Sequence, residues 1–332
     1  MKHANISVFI PHIGCPHLCS FCDQRTISGT QKAPTPEDVR ELCKKALEMS
    51  SAPENTEIAF FGGSFTAIPR SYMTSLLEAV HDLVGAGKFH GIRISTRPDC
   101  ISREILDILK KYGVTAIELG AQSMCDDVLE ANERGHDSAQ VRASSELIRE
   151  YGFELGLQMM VGLYKSSEQR EAETIENIIA IHPDTVRIYP VVILKNTRLG
   201  ELFSAGEFKP LEFDTVLNIC SEAILRFTAE KIKVIKCGLH ASEFVEKDML
   251  GGFYHPAFRE LCENLIYRQK TEEFITSHRS QDNVYKIAVA PSCISKAIGQ
   301  KRSNLEYFRS RNITVKYIGD ENIPVYETGE VK

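Results

Sequence analysis

Cys15, Cys19 and Cys22 are spaced CxxxCxxC directly after a short apolar stretch, Ile6 to Ile10, so one strand would deliver three thiolates into one loop. Thiolates are soft ligands, and three of them suit an iron-sulfur cluster or zinc better than any hard cation. A cubane 4Fe-4S cluster normally takes four thiolates. A site built from three would leave one iron open to a further ligand, and chemistry can begin at that iron.

Two plainer readings compete. A structural zinc site takes four protein ligands, yet neither a second CxxC nor an HxxxH pair accompanies the claw. Cys43 falls on the helix expected next, Cys100 follows a Pro-Asp turn and Cys125 stands alone. A disulfide fits less well, because ten cysteines without a signal peptide point to a reducing, cytoplasmic compartment. His17, inside the claw, has a ligand's chemistry but reads as a solvent-exposed loop residue.

The claw needs a frame to hold it. Up to about residue 240, short apolar runs alternate with longer helical patterns, the signature of repeated βα units and a parallel sheet. Thr35 is placed to cap the first helix, Pro36 suits its first turn, and Val39, Leu42, Cys43, Ala46 and Leu47 share one face. Six strands are expected: Ile6 to Ile10, Ile58 to Phe61, Ile92 to Ser95, Thr115 to Leu119, Leu155 to Val161 and Thr185 to Val191. Helices near 70–84, 102–112, 138–151 and 167–181 supply the crossovers. The expected fold is α/β, a partial (βα)6 barrel of the TIM type with a small α+β appendage at the carboxyl end.

In such barrels the site lies at the carboxyl ends of the strands. After the second strand comes Phe61-Gly62-Gly63-Ser64-Phe65-Thr66, whose glycines let a ligand approach the backbone. Thr96-Arg97-Pro98-Asp99 follows the third, Gln122-Ser123 the fourth, and Arg134-Gly135-His136 stands further on. Arg97 with Asp99 is by itself a plain ion pair, and Gln122 by itself a turn cap. Four successive strand ends with polar or glycine-rich groups favour one convergent site. Met159 and Met160 read as core fillers. Tyr189, Lys195 and His240 are candidates near the barrel mouth without a distinguishable role.

The claw resembles the signature of the radical S-adenosylmethionine (radical SAM) superfamily. The GGSFT turn, STRPD, ELGAQS, the RGH triplet, MMVGL and RIYP, between about Phe9 and Tyr267, are similar to the Elongator catalytic-subunit subgroup, which modifies the wobble uridine of transfer RNA. The resemblance implies that Cys15, Cys19 and Cys22 bind a 4Fe-4S cluster. It implies further that Gly62, Gly63, Ser64, Thr96, Arg97 and Gln122 line an S-adenosylmethionine pocket, that a 5'-deoxyadenosyl radical forms there, and that a flavodoxin or ferredoxin supplies the electron. Elongator-type enzymes carry an acetyltransferase-like domain of well over a hundred residues. About 65 residues remain here after Tyr267, so the acetyl-CoA half of that reaction does not carry over with the resemblance.

The carboxyl end is basic instead. Residues 284–318 hold seven Lys or Arg against Glu306, a net +6, which leaves -12 on the rest of a chain whose total is -6. Its expected order of strand, helix, Gly299-Gln300-Lys301-Arg302 loop, helix and strand resembles a KH unit, whose GXXG loop clamps a nucleic-acid backbone. Arg302 stands where the second glycine would be. Lys301 and Arg302 are therefore the expected RNA contacts, with a radical SAM barrel over 1–270, the basic segment over 271–320 and a tail over 321–332. The 332 residues, 43% hydrophobic and 25% charged, contain no apolar run long enough to span a membrane. Two other functions remain: radical chemistry on a small molecule, as in the coproporphyrinogen oxidases, and a non-catalytic RNA-binding protein with a structural metal.

Overall fold

The computed structural model describes residues 4–10, 13, 15, 19–29, 32–240, 242–278 and 280–331; His17 lies outside them. Six strands follow one another: β1 (Ala4–Ile10), β2 (Thr56–Gly62), β3 (Gly91–Thr96), β4 (Val114–Gln122), β5 (Glu154–Val161) and β6 (Thr185–Pro190). A short β7 (Val192–Leu194) leaves this sheet, and β8 (Lys233–Cys237) rejoins it beside β6. The main sheet thus has seven parallel strands in the order β1-β2-β3-β4-β5-β6-β8, one more than the six expected. It curls into a partial barrel whose edge strands are β1 and β8.

Helix α1 (Gln24–Ser28) follows the cysteine loop, and α2 (Pro36–Met49), α3 (Arg70–Val80), α4 (Arg103–Lys111), α5 (Asp126–Ala131), α6 (Ser138–Glu150) and α7 (Glu168–Ile181) connect the strands. Their starts are written locally. Thr35 accepts from the Asp38 N–H while the Asp38 carboxylate accepts from the Thr35 N–H, a reciprocal pair that Asp137 and Gln140 repeat at α6. The outward side chains of the strands, such as Ile58, Phe60, Ile92 and Ile94, are fully buried beneath the helices. Inward-facing positions alternate with them, because successive strand residues point to opposite faces.

Past α8 (Arg198–Ser204), the long helices α9 (Phe213–Ala229) and α11 (Phe258–Ser277) cover β8, with Cys237 Sγ 4.0 Å from Cys262 Sγ between them. Helix α10 (Glu243–Asp248) and strand β9 (Met249–Gly252) lie between; β9 pairs antiparallel with β7. The carboxyl end folds as β10 (Val284–Val289), α12 (Ile294–Ile298), α13 (Ser303–Arg309) and β11 (Thr314–Gly319), with β10 and β11 parallel and β12 (Gly329–Glu330) antiparallel on the other side of β10.

This βααβ unit is stitched to α11, which runs through residue 270 and serves both parts. Glu263, 3% exposed, accepts from Arg259 and Tyr326 and pairs with Lys296 at 3.1 Å. Asn304 donates to the Asn264 and Ala297 carbonyls, and Tyr317 bonds Thr271. No helix among the described residues is long and apolar enough to cross a membrane.

Candidate active site

The second strand fixes the cysteine loop. Gly63 donates its N–H to the Ile10 carbonyl at 2.9 Å. A Cβ at residue 63 would stand 2.8 Å from the Ile13 oxygen and 3.4 Å from Cys15 Sγ; one at residue 62, where φ is +112°, would strike the Ile10 oxygen at 2.6 Å. The two glycines therefore admit the thiolate loop itself, in addition to any ligand. Ser20, between two of the cysteines, is anchored to Asn132 through backbone and hydroxyl bonds of 3.1 and 2.8 Å.

Burial pushes the Cys15 thiol above its ordinary value, opposed by a hydrogen bond from the Ser64 backbone, and pushes Cys22 up to about 12. The charge of Cys19 raises both, so the three sulfurs feel one another. Metal binding must displace those protons, and an electrophilic cluster does so readily. Among the described residues no three His, Cys, Asp or Glu side chains gather around a point that one ion would fill. A cubane offers a separate iron to each thiolate, which suits ligands more widely set.

Beside the cysteines lies a cluster of cationic and polar side chains at the ends of β3 and β4. Arg134 Nη1 donates to Cys19 Sγ at 2.9 Å, and its Nη2 donates to the Gly120 carbonyl at 2.6 Å. Arg97 donates to both Asp99 carboxylate oxygens at 2.9 Å and to the Arg134 carbonyl at 2.6 Å. Ser64 and Thr66 both bond the Thr96 hydroxyl, at 2.8 and 2.6 Å, which ties the glycine turn to the third strand end. Four buried polar atoms here have no hydrogen-bond partner among the described residues: Arg97 Nη1, Gln122 Oε1, Arg134 Nε and His136 Nδ1. Buried polar groups are nearly always satisfied, so these donors and acceptors are free to bond a further group at this edge of the barrel. Burial and the neighbouring Arg134 charge hold His136 down to about 4, so it is a neutral ring in that wall.

Deeper in the barrel, charged side chains cross-link the inward faces. Arg93 donates to Glu57 at 2.6 Å and to Glu154 at 2.8 Å, while Glu118 accepts from Arg187 at 2.6 and 2.8 Å and from Gln158 at 2.8 Å. Burial opposes the Glu118 charge, but Arg187 and Arg93 outweigh it and hold the carboxyl below its usual value. Above this layer stand Phe9, Phe61, Met160, Tyr189 and His240. Met159 is fully buried on the helix side, whereas its neighbour Met160 is partly exposed. Lys195 instead donates to the Lys247 carbonyl near the β7–β9 pair.

The structure thus brings Gly62, Gly63, Ser64, Thr96, Arg97 and Gln122 to the ends of neighbouring strands around Cys15, Cys19 and Cys22. Lys301 and Arg302 lie apart, exposed on the βααβ unit, both in left-handed conformation with φ of 52° and 67°. Sequence reasoning noticed the Arg134-Gly135-His136 triplet without giving it a role; a cation three residues past a short helix has no visible partner until the fold returns it to Cys19. Two clefts on the helical exterior, about 660 Å³ along α11 at Gln269–Ser277 and about 470 Å³ between Cys125 and Asn177, contain none of these residues.

Residues 9–178 match the model of the radical SAM superfamily, and residues 183–268 match that of the Radical_SAM C-terminal domain. Elongator complex protein 3 of Homo sapiens is 31% identical over 193 residues, covering 51% of this chain and 35% of that protein. The tRNA uridine(34) acetyltransferase of Dehalococcoides mccartyi is 24% identical over 253 residues, covering 65% and 55%. The chain therefore spans about a third to a half of the length of the Elongator proteins that it matches. Among solved structures, the archaeal Elp3 of Methanocaldococcus infernus with an N-terminal deletion superposes with a TM-score of 0.56 at 20% identity, covering 74% of this chain and 61% of that one, a likeness of fold.

Proposed function

The chain belongs to the radical SAM superfamily, enzymes that use a 4Fe-4S cluster and S-adenosylmethionine, and on that premise we propose that Cys15, Cys19 and Cys22 hold the cluster, that cofactor cleavage takes place beside them, and that the chemistry is directed at transfer RNA. When bound, the two cofactors supply an electron and a 5'-deoxyadenosyl radical. The protein's part is to bind, orient and exclude water.

The observation that carries the cofactor assignment is the set of four partnerless buried atoms next to Cys19. Arg97 Nη1 and Arg134 Nε are donors suited to a carboxylate, Gln122 Oε1 is an acceptor suited to an ammonium group, and Gly62 with Gly63 lets the cysteine loop pack close to the same edge. Arg134 has a second duty. Its guanidinium on Cys19 stabilises negative charge on that sulfur, an influence that tunes a cluster's potential.

RNA as substrate is supported by the likeness to Elongator proteins and to a tRNA uridine acetyltransferase, and by the six exposed cations of the βααβ unit, Lys286, Lys301, Arg302, Arg309, Arg311 and Lys316. In a reducing cytoplasm, the compartment proposed for this chain, a small carrier such as a flavodoxin or ferredoxin would deliver the electron.

The test is anaerobic reconstitution with iron and sulfide, then reductant and S-adenosylmethionine. The wild type is expected to release 5'-deoxyadenosine and Cys19→Ala to release none, with transfer RNA raising the yield of 5'-deoxyadenosine in the complete mixture. Cleavage retained in Cys19→Ala would remove the ligand assignment. Cleavage whose yield transfer RNA leaves unchanged would remove the substrate.

A further inference from the structure

The lumen of the barrel carries an aromatic wall that the cofactors do not account for. Phe9 and Phe61 occupy paired positions in β1 and β2, with ring centroids 6.2 Å apart, and His240, just past β8, stands 6.4 Å from Phe9 on the other side. The row crosses the open seam between the sheet's two edge strands. Phe9 and Phe61 are partly exposed, and neither joins a hydrophobic core cluster, although their neighbours Val8, Ile10 and Phe60 all do. Apolar rings kept out of an adjacent core and turned to a lumen form a surface for something flat.

The same wall is cationic. The Arg187 guanidinium lies 5.0 Å from the Phe61 ring centre while bonding Glu118. Lys236 is next to Arg187 in the β6–β8 register, so both face the lumen, and among the described residues no carboxylate pairs with its ammonium. His240 is near enough to Lys236 to feel its charge and is held by the backbone of Ile27, in the helix that follows the cysteine loop. The carboxylates of this layer, Glu57 and Glu118, are already engaged by Arg93 and Arg187. What the wall offers is therefore ring faces and positive charge, and a nucleotide has the matching chemistry: a planar base and an anionic phosphate.

We propose that Phe9, Phe61 and His240 form a stacking platform that receives a single nucleobase unstacked from its strand, with Lys236 holding that nucleotide's phosphate. An enzyme that must reach one atom of a base has to take that base out of its stack, and aromatic platforms accept any base through its π face. The inference rests on RNA being the substrate. It adds where the reacting nucleotide sits and which residues hold it.

The chain contains no tryptophan, so Phe9→Trp places a single fluorescent reporter in the platform. Reconstituted Phe9→Trp protein, saturated with S-adenosylmethionine so that the adenine site is filled, is titrated with a fluorescein-labelled pentauridylate and with the abasic oligomer of the same length, recording tryptophan emission and fluorescein anisotropy together. The expected result is quenching by pentauridylate only, with both oligomers binding through phosphate. In a parallel titration Phe61→Leu weakens pentauridylate by about 5- to 150-fold, the range for one lost stacking contact, and leaves the abasic oligomer unchanged. Equal quenching by the abasic oligomer, or binding of both without quenching, overturns the platform while leaving RNA as substrate. Absence of any anisotropy change removes RNA itself and the platform with it. Should Phe9→Trp lose its cluster, Phe61→Trp serves as the reporter at the adjacent ring.

Discussion

One carbon atom at residue 63 decides how close the cysteine loop can come to the second strand. The added methyl of Gly63→Ala would press on the Ile13 carbonyl and touch Cys15 Sγ, so it displaces a ligand loop without entering the hydrophobic core. The expected outcome is a folded protein whose iron content after anaerobic reconstitution falls well below wild type; iron per chain at the wild-type value would show that the loop tolerates the shift. Gly62→Ala is different in kind, because a left-handed φ and a 2.6 Å contact with backbone both oppose it, and about 2 kcal/mol of stability should be lost. The glycine pair and the cysteines were legible in sequence because their chemistry is packed into contiguous motifs. Phe9 and Phe61 were not, since a phenylalanine in a strand reads alike whether it faces the helices or the lumen.

At the scale of elements, helix α7 holds the turn that follows β5. Glu171, 2% exposed, accepts from the Gly162 N–H at 2.8 Å and from the Ser166 hydroxyl at 2.6 Å, and burial pushes its carboxyl up to about 7. The folded protein thus retains a proton that the unfolded chain loses above its ordinary value of 4.5. This contribution is fully present below pH 4.5, declines as pH rises, and is gone above about pH 7. Glu171→Gln keeps an acceptor oxygen for both bonds and cannot ionise. Its melting temperature should equal that of the wild type near pH 4.5 and exceed it by several degrees at pH 8; parallel curves across that range would mean that Glu171 does not titrate there. Most elements were readable because caps and periodicity are local: Thr35 and Pro36 marked α2, and the strand runs marked β1 to β6. Strand β8 was not, because Lys233-Val234-Ile235-Lys236-Cys237 puts two lysines in five residues, and only pairing with β6 identifies it. The inward charges Glu57, Arg93 and Glu118 were equally hidden, since each is acceptable in a barrel only through partners on other strands.

At the scale of the molecule, the +6 of the carboxyl end does not form one patch. Lys286 and Lys316 are paired in register on the outer face of the small sheet, Lys296 is engaged by Glu263, and Arg311 stacks 3.6 Å over Tyr307, which Arg268 covers from another side at 4.7 Å. Only Lys301 and Arg302 share a loop, and both hold a backbone conformation that L residues adopt at a cost of roughly 1–2 kcal/mol each. Glycine at 302 would remove that strain. As the proposed RNA contact, the exposed Arg302 side chain would be held at a set distance from the barrel mouth by the βααβ unit, which is fixed to α11 through Glu263, Asn304 and Tyr317. Arg302→Gly should therefore raise stability by about 1 kcal/mol while weakening transfer RNA binding, with the slope of log affinity against log salt becoming shallower by roughly 0.7–0.9 for one lost phosphate contact. Formation of 5'-deoxyadenosine without RNA should be unaffected, because the loop touches none of the residues around Cys15, Cys19 and Cys22. Thermal melting, a salt series of RNA binding and the cleavage assay separate the contributions: a more stable protein with unchanged RNA affinity would make the loop a packing feature, and a parallel loss of cleavage would place its effect inside the barrel.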